Sequence, residues 1–191
     1  YRMIRDYKTF NLFPIPIGRV VTAMPNDEIT KFTCEFLTEN ELGYTTFHNP
    51  DKNKIYQRDM PASNQFVEMV TEAANTFMDN WGIKTNRTPH VYFWGSHCQR
   101  GDNHHSHVHP MSTLSGTYWS AAEDRASPLV FENPAGSSMM QYPPRQEHYE
   151  YPHKPKTGDM LIWPSWLQHK VLTQMSDAMR VAISFNVVYK F

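Results

Sequence analysis

Residues 159–189, DMLIWPSWLQHKVLTQMSDAMRVAISFNVVY, decide the fold class, because they hold three β-like runs in close succession. These runs span 159–164, 168–173 and 179–189, and similar runs precede them at 90–98, 113–121, 128–132 and 147–152. Gly, Pro and Asn residues separate the runs and mark turns. Seven or so short strands joined in this way predict an antiparallel sandwich, barrel or jelly roll.

The last run alternates between two kinds of side chain. One set is apolar and comprises Val181, Ile183, Phe185 and Val187; the other comprises Arg180, Ala182, Ser184 and Asn186. Because successive side chains of a strand point to opposite faces, we expect the apolar set to pack against helices and the other set to face the interior. An interior Arg180 would need an anion, and a guanidinium can bind a carboxylate bidentately. The alternative is an arginine at a strand edge that pairs with an acid or reaches solvent.

Two stretches of the N-terminal half have helical periodicity. In residues 27–39 the apolar side chains fall on one helix face, and in residues 64–81 eight apolar side chains follow the same spacing up to Gly82. Residues 43–62 are polar and rich in Pro, Asn and Asp, which predicts a loop. Residues 10–23 read as a strand braced by prolines.

No linker divides the chain, so we predict one domain over residues 1–191. It would be a mainly β (α+β) domain in which two N-terminal helices pack outside the β-core. The helical part would cover about 1–88 and the β-core about 89–191.

Composition agrees with a folded, β-rich protein. Of 191 residues, 40% are hydrophobic, 19% are charged and 14% are aromatic, with 14 Pro and 8 Gly. The net charge of −1 gives no reason to expect nucleic acid or an anionic membrane as a partner. No apolar run approaches the roughly 20 residues of a membrane span. Residues 1–18 lack the layout of a signal peptide. The sequence has only two cysteines, which do not make a disulfide framework. We therefore expect a cytoplasmic protein with reduced thiols.

Histidine is concentrated at one place. Four of the 10 histidines, His104, His105, His107 and His109, fall within six positions, where an even spread would place about 0.3. In an extended stretch, the imidazoles of His107 and His109 would lie on one face and could bind one metal ion, with His169 as the best candidate for a third ligand. The other register, His105 with His107, is less favoured, because residues 104–106 read as an approach loop. Polar histidines on a surface loop are the alternative.

Four stretches together resemble a known family. They are LFPIPI at 12–17, HVHPMSTLSGTYW at 107–119, GDMLIWPSWLQHKV at 158–171 and RVAISFN at 180–186. In this order they resemble the Fe(II)/2-oxoglutarate-dependent oxygenases, and within them the small oxygenases common in marine bacteria and cyanophages. The likeness covers nearly the whole chain, and its specific part lies in residues 103–186.

The resemblance implies a double-stranded β-helix (a cupin-like jelly roll) and a set of roles. His107 and His169 match the metal ligands, Arg180 matches the arginine that binds the distal carboxylate of 2-oxoglutarate, and Tyr118 is a weaker candidate for the same pocket. The implied cofactors are Fe(II), 2-oxoglutarate and O2, and the implied reaction is hydroxylation with release of succinate and CO2. His109 stands where the wider superfamily has a carboxylate, which makes a three-histidine site more positive by one charge. Asp102 is a less favoured carboxylate for that position.

Two other functions stay open. One is a cupin-type three-histidine dioxygenase that does not use 2-oxoglutarate, which would leave Arg180 without a role. The other is a non-catalytic metal-binding protein on the same scaffold. We expect a small-molecule or peptide substrate and no membrane or nucleic-acid partner. If the chain oligomerises, we expect a homodimer. If a phage encodes the protein, we expect it to be located in the host cytoplasm. We also expect residues 133–146 to form a lid over the substrate.

Overall fold

A computed structural model of this protein describes residue 8, residues 14–136, residue 140 and residues 149–189. Within them, the helices are α1 (Asn26–Glu39), α2 (Pro50–Asp59) and α3 (Ser63–Asn80). The strands are β1 (Gly18–Val21), β2 (His90–His97), β3 (His104–His107), β4 (Leu114–Ala122), β5 (Leu129–Glu132), β6 (Glu150–His153), β7 (Asp159–Pro164), β8 (His169–Val171) and β9 (Arg180–Val188).

These strands form two antiparallel sheets. The first has the order β1-β7-β4-β9-β2, and the second has the order β3-β8-β5-β6. Every pairing between neighbours is antiparallel. The order interleaves strands that are distant in the chain, which is the jelly-roll arrangement, so the predicted mainly β fold is confirmed.

Two apolar clusters hold the layers together. On the outer face of the five-stranded sheet, helical side chains such as Phe66 and Val70 pack against Ile183 and Phe185. The second cluster includes Trp119, Leu161, Trp163 and Ala182 of the first sheet and Leu129, Phe131 and Val171 of the second. The prediction that the two faces of β9 divide between helices and interior is therefore confirmed.

The helical part differs from the prediction in one element. The helices predicted at 27–39 and 64–81 correspond to α1 and α3, but the predicted loop 43–62 contains a third helix, α2. Asn49 caps α2 by accepting a hydrogen bond from the backbone N–H of Lys52, and Pro50 occupies the first helical position. Only Tyr56 of this helix is buried, so the helix has no apolar face that periodicity could detect.

The prediction of an approach loop at 104–106 is also wrong. These residues belong to β3, which pairs with β8 and contains a register shift between His104 and His107. The parts of predicted features that fall on 10–13, 137–139 and 141–148 lie outside the described residues. In the described part of the chain, no helix is long and apolar enough to cross a membrane.

Candidate metal centre

The second sheet brings three histidines together. His107 ends β3 and lies directly opposite His169, the first residue of β8. His109 follows two residues after β3, where its backbone N–H donates to the carbonyl oxygen of Ser165, just ahead of β8. Strand register and one backbone hydrogen bond therefore position all three side chains.

Their ring nitrogens converge on one point. One nitrogen from each of His107, His109 and His169 lies within 4.8 Å of the others, and the Nε2 atoms of His109 and His169 are 3.2 Å apart. The Nδ1 of His107 is 2.7 Å from the carbonyl oxygen of His105, and the Nδ1 of His169 is 2.8 Å from that of Leu167. A carbonyl can only accept, so each Nδ1 carries the proton and each Nε2 keeps its lone pair for a metal.

Burial favours the neutral form of His109 and His169. Burial lowers the pKa of His169 to about 3 and the pKa of His109 to about 4 from the ordinary 6.5, and the charge of His107 adds to the effect on both. A neutral imidazole is the form that binds Fe, Zn, Cu or Ni. The donor set therefore fits a divalent transition-metal ion at neutral pH.

Arg180 lies in the same cavity as the histidines. The cavity measures about 40 Å³, and its lining includes all three histidines, Arg180, Thr117 and Ser184. Arg180 is only 4% exposed, and its Nε–H donates to the carbonyl oxygen of Ser127 at 3.0 Å. Burial lowers its pKa, and no described carboxylate forms an ion pair with it. A guanidinium in this state is suited to bind the carboxylate of a ligand.

Tyr118 does not belong to this pocket, which corrects the prediction. On β4 the side chains of Thr117 and Trp119 face the interior, so Tyr118 faces the helices. There it packs with the helix-side cluster against Phe66 and donates a hydrogen bond to Asn26. Its phenol is therefore on the wrong side of the sheet to contact 2-oxoglutarate.

Two other sequence candidates are also outside the cluster. Asp102 accepts a hydrogen bond from the backbone N–H of Gln99 and is not among the residues that could hold the metal. His105 is exposed. No carboxylate of the described chain joins the three histidines, so His109 is the group that the structure offers as third ligand.

Sequence reasoning missed two contributors to the cavity. His104 also lines it, and burial lowers its pKa to about 4. Gln174, fully buried, accepts a hydrogen bond from the backbone N–H of Ser127 at 2.7 Å and thereby holds the carbonyl that binds Arg180. Neither role has a local sequence signal, because each depends on contacts between distant segments.

Solved structures share this fold at low sequence identity. AviO1 from Streptomyces viridochromogenes Tue57 is 11% identical with a TM-score of 0.62, covering 92% of this chain and 90% of that chain. HygX from Streptomyces hygroscopicus, solved with nickel and 2-oxoglutarate bound, is 10% identical with a TM-score of 0.55, covering 93% and 83%. A 2OG-Fe(II) oxygenase family oxidoreductase from Burkholderia pseudomallei is 13% identical with a TM-score of 0.50, covering 68% of this chain. This chain spans 59% of that oxidoreductase.

Sequence comparison adds the family to the fold. No curated protein is significantly similar in sequence. Residues 92–186 match the family model described as "Putative 2OG-Fe(II) oxygenase", and this segment contains His107, His109, His169 and Arg180. Over this segment, just under half of its length, the chain matches the family of 2-oxoglutarate- and Fe(II)-dependent oxygenases.

Proposed function

We propose that this oxygenase hydroxylates a C–H bond of a small-molecule or peptide substrate and converts 2-oxoglutarate and O2 to succinate and CO2. One observation carries the proposal: three converging imidazoles and a buried arginine without a described carboxylate partner line the same cavity. The imidazoles suit Fe(II), and the arginine suits a dicarboxylate.

The bound Fe(II) and 2-oxoglutarate would supply O2 activation. Two electrons for the reduction of O2 would come from the 2-oxo acid and two from the C–H bond. One oxygen atom would enter the alcohol and the other would enter succinate. His107, His109 and His169 would hold the iron. Two carbonyl acceptors fix the Nδ1–H groups of His107 and His169, so Nε2 is the atom of each ring that would bind the metal.

Arg180 would hold the carboxylate of 2-oxoglutarate that is remote from the oxo group. Its Nε–H is already bound to Ser127, which leaves the terminal N–H groups for bidentate contact. The apolar cluster between the sheets, with Trp163 and Leu129 at the cavity wall, keeps bulk water from this pair. A charge-assisted hydrogen bond is stronger where water is excluded.

A three-histidine ligand set also suits the cupin-type dioxygenases that do not use 2-oxoglutarate. That reaction would leave Arg180 buried beside the metal without an anion, at a large desolvation cost. The buried arginine therefore favours 2-oxoglutarate use over the cupin-type reaction.

Anaerobic titration with Fe(II) and 2-oxoglutarate tests the proposal. Chelation of Fe(II) by the 2-oxo acid should give a visible charge-transfer band near roughly 500–530 nm. We expect His109→Ala to abolish the band and His109→Asp, which restores a carboxylate ligand, to keep it. His105→Ala is the matched control, because His105 is exposed and contributes only its backbone carbonyl to the site.

The outcomes separate the three functions. A band that depends on His109 supports the proposal. Fe(II) binding without a band would favour the cupin-type reaction. Absence of Fe(II) binding would favour a non-catalytic scaffold.

A further inference from the structure

Five rings form a continuous surface beside the metal centre. We call this surface the aromatic wall; it consists of Tyr44, Phe47, His48, Trp94 and His104. We propose that the aromatic wall binds an uncharged ring, aromatic or alicyclic, of the substrate, so that a C–H bond of that ring or of its substituent faces the metal. This inference rests on the proposed function and assigns the substrate class to the same site.

The aromatic wall connects directly to the candidate metal ligands. Trp94 stacks on His109 with ring centroids 5.8 Å apart and an interplanar angle of 26°. Phe47 packs on Trp94 at 4.9 Å. On the other side, His104 lies 5.5 Å from His107 and 5.3 Å from Tyr44. A ring that lies on this surface is therefore next to the candidate metal ligands His107 and His109.

The aromatic wall is preorganised, because its backbone is held in place without a ligand. The segment that carries Tyr44 and Phe47 is fastened to β2 by a bridge between Thr45 and Ser96 and by backbone hydrogen bonds from Thr46 to Gly95 and from His97 to Tyr44. The hydroxyl of Thr46 also donates to Asn53 of α2 at 2.7 Å. Rings fixed in place before binding lose little conformational entropy when a ligand arrives.

Part of the aromatic wall is exposed to solvent. Phe47 is 52% exposed although it packs on the buried Trp94. Val108, between the two ligands His107 and His109, is 41% exposed. An exposed apolar surface beside a buried metal site is where an apolar part of a ligand would gain most from leaving water.

Charge also selects the ligand. Among the wall residues there is no acid or Lys or Arg. Arg180 lines the same cavity as Trp94 and His104, so its positive charge disfavours a cation at the wall. Aromatic surfaces also attract cations, but here the neighbouring positive charges oppose one. An uncharged ring is the ligand that fits.

The larger groove of the protein is a poorer candidate for the reacting part of the substrate. It measures about 1250 Å³ and is lined by residues 14–17, 131–135, 150–151 and 153–154, among others. None of its described lining residues is a metal ligand or Arg180. The groove therefore offers no metal ligand to a reacting C–H bond, and it is suited to hold another part of the substrate.

The test measures the binding of simple rings to the anaerobic protein loaded with Fe(II) and 2-oxoglutarate. The probes are indole, cyclohexanone, its acyclic counterpart hexan-2-one, and the cationic ring benzylamine. Ligand-observed NMR gives each affinity, and a shift of the charge-transfer band shows whether the probe lies beside the metal. We expect indole and cyclohexanone to bind at least about fivefold tighter than the other two and to shift the band.

The variants locate the ring on the wall. Phe47→Ala should weaken ring binding about two- to tenfold, the range expected for losing one aromatic contact, and Phe47→Tyr should retain it. Tyr92→Ala is the matched control, an exposed aromatic on the same strand as Trp94 but remote from the cavity lining, and should leave ring binding unchanged.

Each outcome separates this inference from the proposed function. A wild-type protein without the charge-transfer band would overturn both. A band combined with equal binding of ring and acyclic probes, equal effects of Phe47→Ala and Tyr92→Ala, or tightest binding of benzylamine would overturn the aromatic wall alone.

Discussion

Replacement of Arg180 with methionine should abolish most of the stabilisation that 2-oxoglutarate gives to the protein. At a ligand concentration 100 times the Kd, the wild type gains about 2.7 kcal/mol. For a domain of this size about 1 kcal/mol shifts Tm by about 2–4 °C, so we expect a rise of about 5–11 °C. Removal of one member of a buried charge pair costs about 2–5 kcal/mol, which raises Kd at least about 30-fold. At the same ligand concentration the variant should then gain at most about 0.9 kcal/mol, or less than about 4 °C.

The assay is anaerobic thermal unfolding with Fe(II), followed by tryptophan fluorescence, with and without 2-oxoglutarate. Without 2-oxoglutarate the variant should lose no more than about 2–4 °C, because methionine loses one hydrogen bond but also removes a buried charge without a described carboxylate partner. Arg58→Met is the matched control, since Arg58 is exposed and pairs only with its neighbour Asp59. A wild-type ligand shift in Arg180→Met would refute the assignment, and a large loss of Tm without ligand would show that Arg180 is structural.

Two further predictions concern the supports of the site. In the metal-free protein, the folded-state pKa values of His169 (about 3) and His109 (about 4) lie below the ordinary 6.5, so the unfolded chain binds more protons between these values. The unfolding free energy should therefore be highest above pH 6.5 and fall by at least about 2 kcal/mol by pH 5. Urea titrations with a metal chelator at pH 7 and pH 5 measure this difference. Equal unfolding free energies at the two pH values would contradict the prediction. Gln174→Met should raise the KM for 2-oxoglutarate more than it lowers kcat, because the side-chain amide that accepts the hydrogen bond from Ser127 is lost. Steady-state succinate formation measures both constants. A change in kcat alone would contradict a positioning role for Gln174.

The sequence predicts the β-core well because its strands have clear ends and, in β9, a clear alternation. Arg180 could be assigned to the interior because its neighbours on the other face are all large and apolar. Tyr118 could not be assigned in the same way. In β4 both faces are buried, one against the helices and one between the sheets, so the pattern does not show which residues point inward.

The sequence fails where a contact between distant segments decides the structure. Helix α2 is missed because only Tyr56 is buried, although the pair Asn49-Pro50 is a helix-start signal that the polar composition outweighed. The hydrogen bond from Ser127 to Gln174 joins residues 47 positions apart, and no local pattern predicts it. The homodimer, the cytoplasmic location and the lid stay predictions.

The substitution at the third ligand position has a consequence for charge. A carboxylate ligand would cancel one charge of a divalent metal, and His109 cancels none, since its imidazole is neutral. With Arg180 in the same cavity, the protein and metal together would carry about three positive charges, against the two negative charges of 2-oxoglutarate. The site would therefore keep one net positive charge when both are bound. This excess would favour binding of the dianion, and it would account for an arginine that needs no carboxylate from the protein, because the anion that neutralises Arg180 would be the co-substrate.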